Sequence, residues 1–128
     1  SSFALIPADI DNAECAKVLL NPSGTIHAFI TKRELTNEEK SGFGFGGEAI
    51  GFFVLRQEDV PQFVALYENN EPTYRPVLWE IPFTDFACNT PLHPWHITQN
   101  GCFEIDTQED YFAALNHFQS HPDLYQLP

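Results

Sequence analysis

Apolar and polar positions along the chain fall into short stretches of two periods. Residues 25–32, TIHAFITK, set Ile26, Ala28 and Ile30 against Thr25, His27 and Phe29, the period of two that turns successive side chains to opposite faces of a strand. SFALIP near the start is a second strand-like stretch, closed by Pro7. The helical period appears at Val60, Phe63, Val64 and Tyr67, with Pro61 in the first turn and Asn69–Asn70 as the stop. It returns at Tyr111, Phe112, Leu115 and Phe118, between Thr107 as N-cap and Pro122 as terminator. The two apolar faces match, which predicts that both helices pack on one sheet.

Other stretches are read from their punctuation. DIDNAECAKVLLN, residues 9–21, places its acids ahead of Ala13, Ala16, Val18, Leu19 and Leu20, as a helix beginning near Asp9 or Asp11 does. NPSG is a turn. LTNEEKSG holds Thr36 and Glu39 at capping-box spacing and ends at Gly42, predicting a helix of a turn or two. FGFGGEAIGFFVL reads as two strands about Gly46–Gly47, or as one strand with a flexible entry. YRPVLWEIPF reads as extended, its prolines marking an edge or interrupted strand. FACNTPLHPWHITQNGCF reads as a packed loop, followed by CFEI as a strand. The sum is an α+β fold in a single domain over residues 1–128: a mixed, mostly antiparallel sheet with two or three helices packed on one face.

Composition supports a packed core. Of 128 residues 43% are hydrophobic, and twelve are phenylalanine. The longest apolar run, AIGFFVL, falls far short of the roughly 18 residues of a membrane span. Three cysteines, Cys15, Cys88 and Cys102, are too few and too odd in number for a disulfide framework, which points to a reducing, cytoplasmic setting.

Charge changes the picture most. Eighteen acids face six bases, a net of −12. Residues 1–75 carry eleven acids and all six bases, a net of −5, whereas residues 76–128 carry seven acids and no base, a net of −7. Phosphate-led binding of nucleic acid and of anionic membrane surfaces is thereby disfavoured. A basic protein partner is favoured instead. The residues expected to meet it are Glu80, Asp85, Glu104, Asp106, Glu109, Asp110 and Asp123, with Trp95 and Tyr125 as aromatic anchors. Small size, acidity and the lack of a catalytic motif match the physical profile of an immunity protein or antitoxin that neutralises a basic, nuclease-type toxin. A structural or adaptor domain of a larger assembly is the alternative.

One constellation carries candidate chemistry. Cys88, His93, His96 and Cys102 are spaced x4, x2 and x5, and two thiolates with two imidazoles suit tetrahedral zinc. A metal-binding protein or small enzyme centred there is a further alternative. Against it, no Cys-x2-Cys knuckle is present, Pro94 stiffens the turn between the histidines, and an aromatic-rich core needs no metal to fold. The expectation is no metal and no cofactor. His117 and His121 are four apart but lack the H-E-x-x-H glutamate, and read as helix-end residues. SGFGFGGEAIG lacks the Lys-Ser/Thr of a phosphate loop, and Glu48 would repel phosphate. No nucleophile elbow is present, and each carboxylate pair sits at a helix start or in a short helix. The reading is that the chain is not an enzyme.

Overall fold

The computed structural model describes residues 1–97, 103 and 105–122. Internal contacts group the chain into two compact units, Ser1–Thr98 and Gln99–Pro128. The first unit holds five strands: β1 (Ser2–Ile6), β2 (Lys17–Leu20), β3 (Ile26–Ile30), β4 (Gly44–Val54) and β5 (His93–His96). Their order across the sheet is β3-β2-β4-β1-β5. All neighbours are antiparallel except β1 and β5, which run parallel. The fold is therefore α+β with a mixed, mostly antiparallel sheet.

Four helices complete this unit: α1 (Asn37–Gly42), α2 (Val60–Asn69), α3 (Glu71–Tyr74) and α4 (Glu80–Ala87). The helix laid against the sheet is α4, beside β3, and α2 lies against α4. This corrects the reading of YRPVLWEIPF as extended. Trp79, Pro82, Phe83, Phe86 and Ala87 recur at helical spacing, and all belong to or pack on the core cluster or are buried. Pro82 is compatible with the helix because the first turn donates no intrahelical hydrogen bonds. Phe83 is the hub of the core. Its ring lies 4.7 Å from Phe3, 4.8 Å from Phe53 and 4.5 Å from Phe63.

The expected helix over residues 9–21 is absent, and Lys17–Leu20 is a strand instead. The reason is local. Asp9 Oδ1 accepts from the Asp11 amide at 3.0 Å, and Asn12 Oδ1 accepts from the Glu14 amide at 3.0 Å. Such side-chain turns compete with helix for the same donors. The loop so formed supplies the Asn12 and Cys15 carbonyls, 2.5 and 3.4 Å from the fully buried Lys17 ammonium.

FGFGGEAIGFFVL forms one strand, with Gly46–Gly47 inside it rather than at a turn. Gly47 has φ +109°, and a Cβ there would stand 2.3 Å from the Ile6 carbonyl oxygen. Only glycine allows β1 and β4 to approach this closely. Gly51 has φ +77° and lies where the register between β1 and β4 shifts, from Phe3–Phe53 to Leu5–Ala49.

Both sheet edges carry groups that hinder further pairing. On β3, the Thr84 hydroxyl of α4 accepts from the Phe29 amide at 3.0 Å and donates to the Phe29 carbonyl at 3.5 Å. The Ile26 amide donates to the Leu92 carbonyl at 2.8 Å. On β5, the amides of His93 and Ile97 face β1, at 3.0 Å from the Ser1 carbonyl and 2.8 Å from that of Leu5. Alternation turns position 94 outward, and Pro94 has no N–H to offer there. The stretch expected to be a packed loop thus ends α4 and then forms an edge strand. Residues 98–102 and Glu104, where most of the expected CFEI strand falls, lie outside the described residues.

In the second unit the described residues form α5 (Gln108–Ser120). Thr107 is its N-cap as expected: Thr107 Oγ1 accepts from the Asp110 amide, and Asp110 reaches back to the Thr107 amide at 2.9 Å. Phe103, His117 and Phe118 cluster within this unit, the Phe103 ring 4.8 Å from His117. Of the two helices expected to share a sheet, α2 enters the first unit's core through Phe63 and Leu66 and leaves Val60 and Val64 exposed. Among the described residues no helix is long and apolar enough to cross a membrane.

Candidate functional site

The acids expected to meet a partner have different local roles. Glu80, in the first turn of α4, is 6% exposed, and its Oε2 has no hydrogen-bond partner. Burial withdraws it from any binding surface, which corrects the sequence expectation. Its neighbours Pro82 and Phe83 are buried and carry the first turn of the helix into the core. Asp85 is exposed and accepts from the Tyr74 hydroxyl at 2.7 Å. Burial, and then this bond, push the Tyr74 phenol up to about 12.

In the second unit Asp106 and Glu109 are exposed. Asp110 is occupied by the cap: its carboxylate takes the Thr107 hydroxyl at 2.8 Å, and this bond holds the carboxyl below its usual range. Glu104, Asp123 and Tyr125 lie outside the described residues. Trp95, on β5, is 58% exposed.

The bases are more telling than the acids. Arg33 grips Glu39 with two nitrogens at 2.7 and 2.8 Å. Lys40 meets Asp11 at 2.6 Å, Arg75 meets Glu71 at 2.9 Å and Arg56 meets Glu58 at 3.7 Å. Lys17 is buried on backbone carbonyls. Lys32 alone of the six bases is exposed without a carboxylate partner among the described residues. Nearly all the Lys and Arg charge is thus engaged within the molecule, and most of the described acids are exposed.

The described residues of the zinc constellation, Cys88, His93 and His96, do not group as ligands. Cys88 lies past the last turn of α4, its thiol donating to the Thr84 carbonyl at 3.5 Å. His93 is in register with Ser2 and His96 with Leu5, so strand alternation turns the two imidazoles to opposite faces. Cys102 lies outside the described residues. Among the described residues no three His, Cys, Asp or Glu side chains group as metal ligands do. The rings of His117 and His121 stack, with centroids 4.5 Å apart, and His121 Nδ1 lies 3.1 Å from the His117 carbonyl. That contact turns one His121 nitrogen to the helix end. A hollow of about 280 Å³ lies between Pro7–Ala8, Phe45–Gly47 and His96–Ile97. Among the described residues that line it, His96 carries the ionisable side chain.

What sequence reasoning missed is apolar. Phe52 is 69% and Val54 60% exposed at the end of β4. Their sequence, GFFVL, resembles any buried strand, and only the position of Gly51 hinted at an irregularity. In comparisons with known proteins, no family model, no curated protein and no solved structure matches the chain.

Proposed function

We propose that this chain is a small acidic protein-binding module whose partner is a basic protein, of the kind formed by an immunity protein or antitoxin with a nuclease-type toxin in the cytoplasm. One observation carries the reading: among the described residues, Lys32 alone of the six bases is exposed without a carboxylate partner, against a net charge of −12. A protein so arranged repels phosphate and attracts cationic surfaces. Excess potential of one sign raises association rates by tens to about a thousand-fold, an effect that salt removes.

The test begins with the protein that co-purifies from the source cells. That partner is expected to be basic, and its stopped-flow association rate to fall steeply between about 10 mM and about 150 mM salt, as the screening length shrinks from about 30 to about 8 Å. Charge reversal must spare the caps, so Asp110 and Glu39 are left alone. Asp106→Lys with Glu109→Lys is expected to slow association more than Glu34→Lys with Glu38→Lys, which lie beside the exposed Lys32. A neutral or acidic partner, or a salt-independent rate, would overturn the reading.

A further inference from the structure

Helix α5 turns an apolar stripe outward. At about 100° per residue, Tyr111, Phe112, Leu115 and Phe118 fall within about 120° of one another around the helix. Tyr111 and Phe112 are each 50% exposed, and Phe118 is 42% exposed. The covered side of the helix lies beside this stripe: Ala114 is buried, and the Phe103 ring rests near His117. A helix ordinarily faces such a stripe inward. Apolar side chains at i, i+4 and i+7 are also the spacing with which a helix enters a groove of another protein.

The charge around the stripe is local and uncancelled. The second unit, Gln99–Pro128, carries five acids and no lysine or arginine. Asp106 stands exposed just ahead of the helix and Glu109 exposed in its first turn. All six bases belong to the first unit, and the ion pairs of Arg33, Lys40, Arg56 and Arg75 go to acids of that unit. Glu109 follows Phe112 around the helix by about 60°, on the flank away from Ala114. The open rings are therefore bordered by carboxylate that no base of this chain engages.

We infer that α5 is the element the basic partner grips, its stripe seated in an apolar cleft rimmed by lysine or arginine. The inference rests on the proposed function and adds the docking place. A second copy's α5 brings the same acids and no base. An anionic lipid surface calls for lysine or arginine on the polar face of the helix, and α5 has neither. A neutral cleft takes up the rings but leaves the acids uncompensated at its rim. The reciprocal bonds of Thr107 and Asp110 fix the first turn, so little ordering is left to be done on binding.

A photo-crosslinking residue placed at Phe112 of the full chain tests this, with the same residue at exposed Val64 on α2 as control. In the source cells position 112 is expected to trap a protein that mass spectrometry identifies as basic, and position 64 not to. With that protein purified, Tyr111→Ala and Phe112→Ala are each expected to raise the dissociation rate about tenfold or more, leaving the salt dependence of association unchanged. Asp106→Asn with Glu109→Gln is expected to do the reverse, slowing association and flattening its salt dependence. Alanine favours helix, and circular dichroism checks that the variants keep α5. A basic partner that binds, but leaves both alanine variants at the wild-type dissociation rate, overturns the docking place and leaves the function standing. Crosslinks from position 112 to a second copy, or back to the same chain, likewise overturn the docking place. A trapped protein that is neutral or acidic overturns both readings, as does a chain that traps and co-purifies nothing.

Discussion

Glu39 closes the capping box of α1, accepting from the Thr36 amide at 2.8 Å, and at the same time receives the Arg33 fork. The guanidinium bonds, followed by the Thr36 amide, hold its carboxyl down to about 2 from an ordinary 4.5. A value depressed by folding adds stability that is complete above the unfolded value and disappears as pH falls through the folded one. Glu39→Gln is therefore expected to lower the melting temperature at pH 7, with the gap to wild type closing between about pH 4.5 and about pH 2. Melts across that range check it, and a gap of constant size would show that the charge contributes nothing. The Thr36–Glu39 pairing was legible because its spacing is fixed by helix geometry. Arg33 was not, because its reach depends on how the preceding loop runs. Glu80 shows the other limit: as an acid among prolines it reads as surface, and only the docking of its helix buries it.

At the scale of elements, the layer next to the sheet depends on α4. Phe83→Ala removes a ring in contact with β1, β4 and α2 and leaves a cavity, at an expected cost of about 3–5 kcal/mol. Val64→Ala, on the exposed side of α2, is expected to cost well under about 1 kcal/mol. Urea unfolding of the two variants measures both, and similar midpoints would remove α4 from its central place. The two helices with clean periodicity and a stop signal, α2 and α5, were legible, as were β1, β3 and the cap of α1. Two of the missed elements, α4 and β2, were lost because a local signal outweighed the pattern. Prolines at 76 and 82 suggested an extended chain, although Trp79, Pro82, Phe83 and Phe86 already follow helical spacing. Acids ahead of alanines suggested a helix before Lys17, although Asp9 and Asn12 were equally suited to satisfy turns.

Over the whole molecule, unmatched carboxylates repel one another in the folded state more than in the expanded one. The exposed ion pairs are worth about 0–1 kcal/mol each and weaken with salt, but repulsion among an excess of twelve negative charges outweighs them. Raising salt from about 10 mM to about 150 mM at neutral pH is accordingly expected to raise the melting temperature. Calorimetry checks this, and a fall would mean that the pairs of Arg33, Lys40, Arg56 and Arg75 outweigh the repulsion.

The Thr84 hydroxyl and Pro94 also bear on the order in which the protein is made. Strands β1 to β4 are complete by residue 54, yet the groups that close the two flanks of the sheet come from α4, which begins at residue 80, and β5, which begins at residue 93. During synthesis the segments of β1 to β4 therefore leave the ribosome ahead of the pieces that seal the flanks of their sheet. In that interval the growing chain offers neighbouring nascent chains the pairing edges that the finished protein withholds. Shielding by chaperones matters most in that interval.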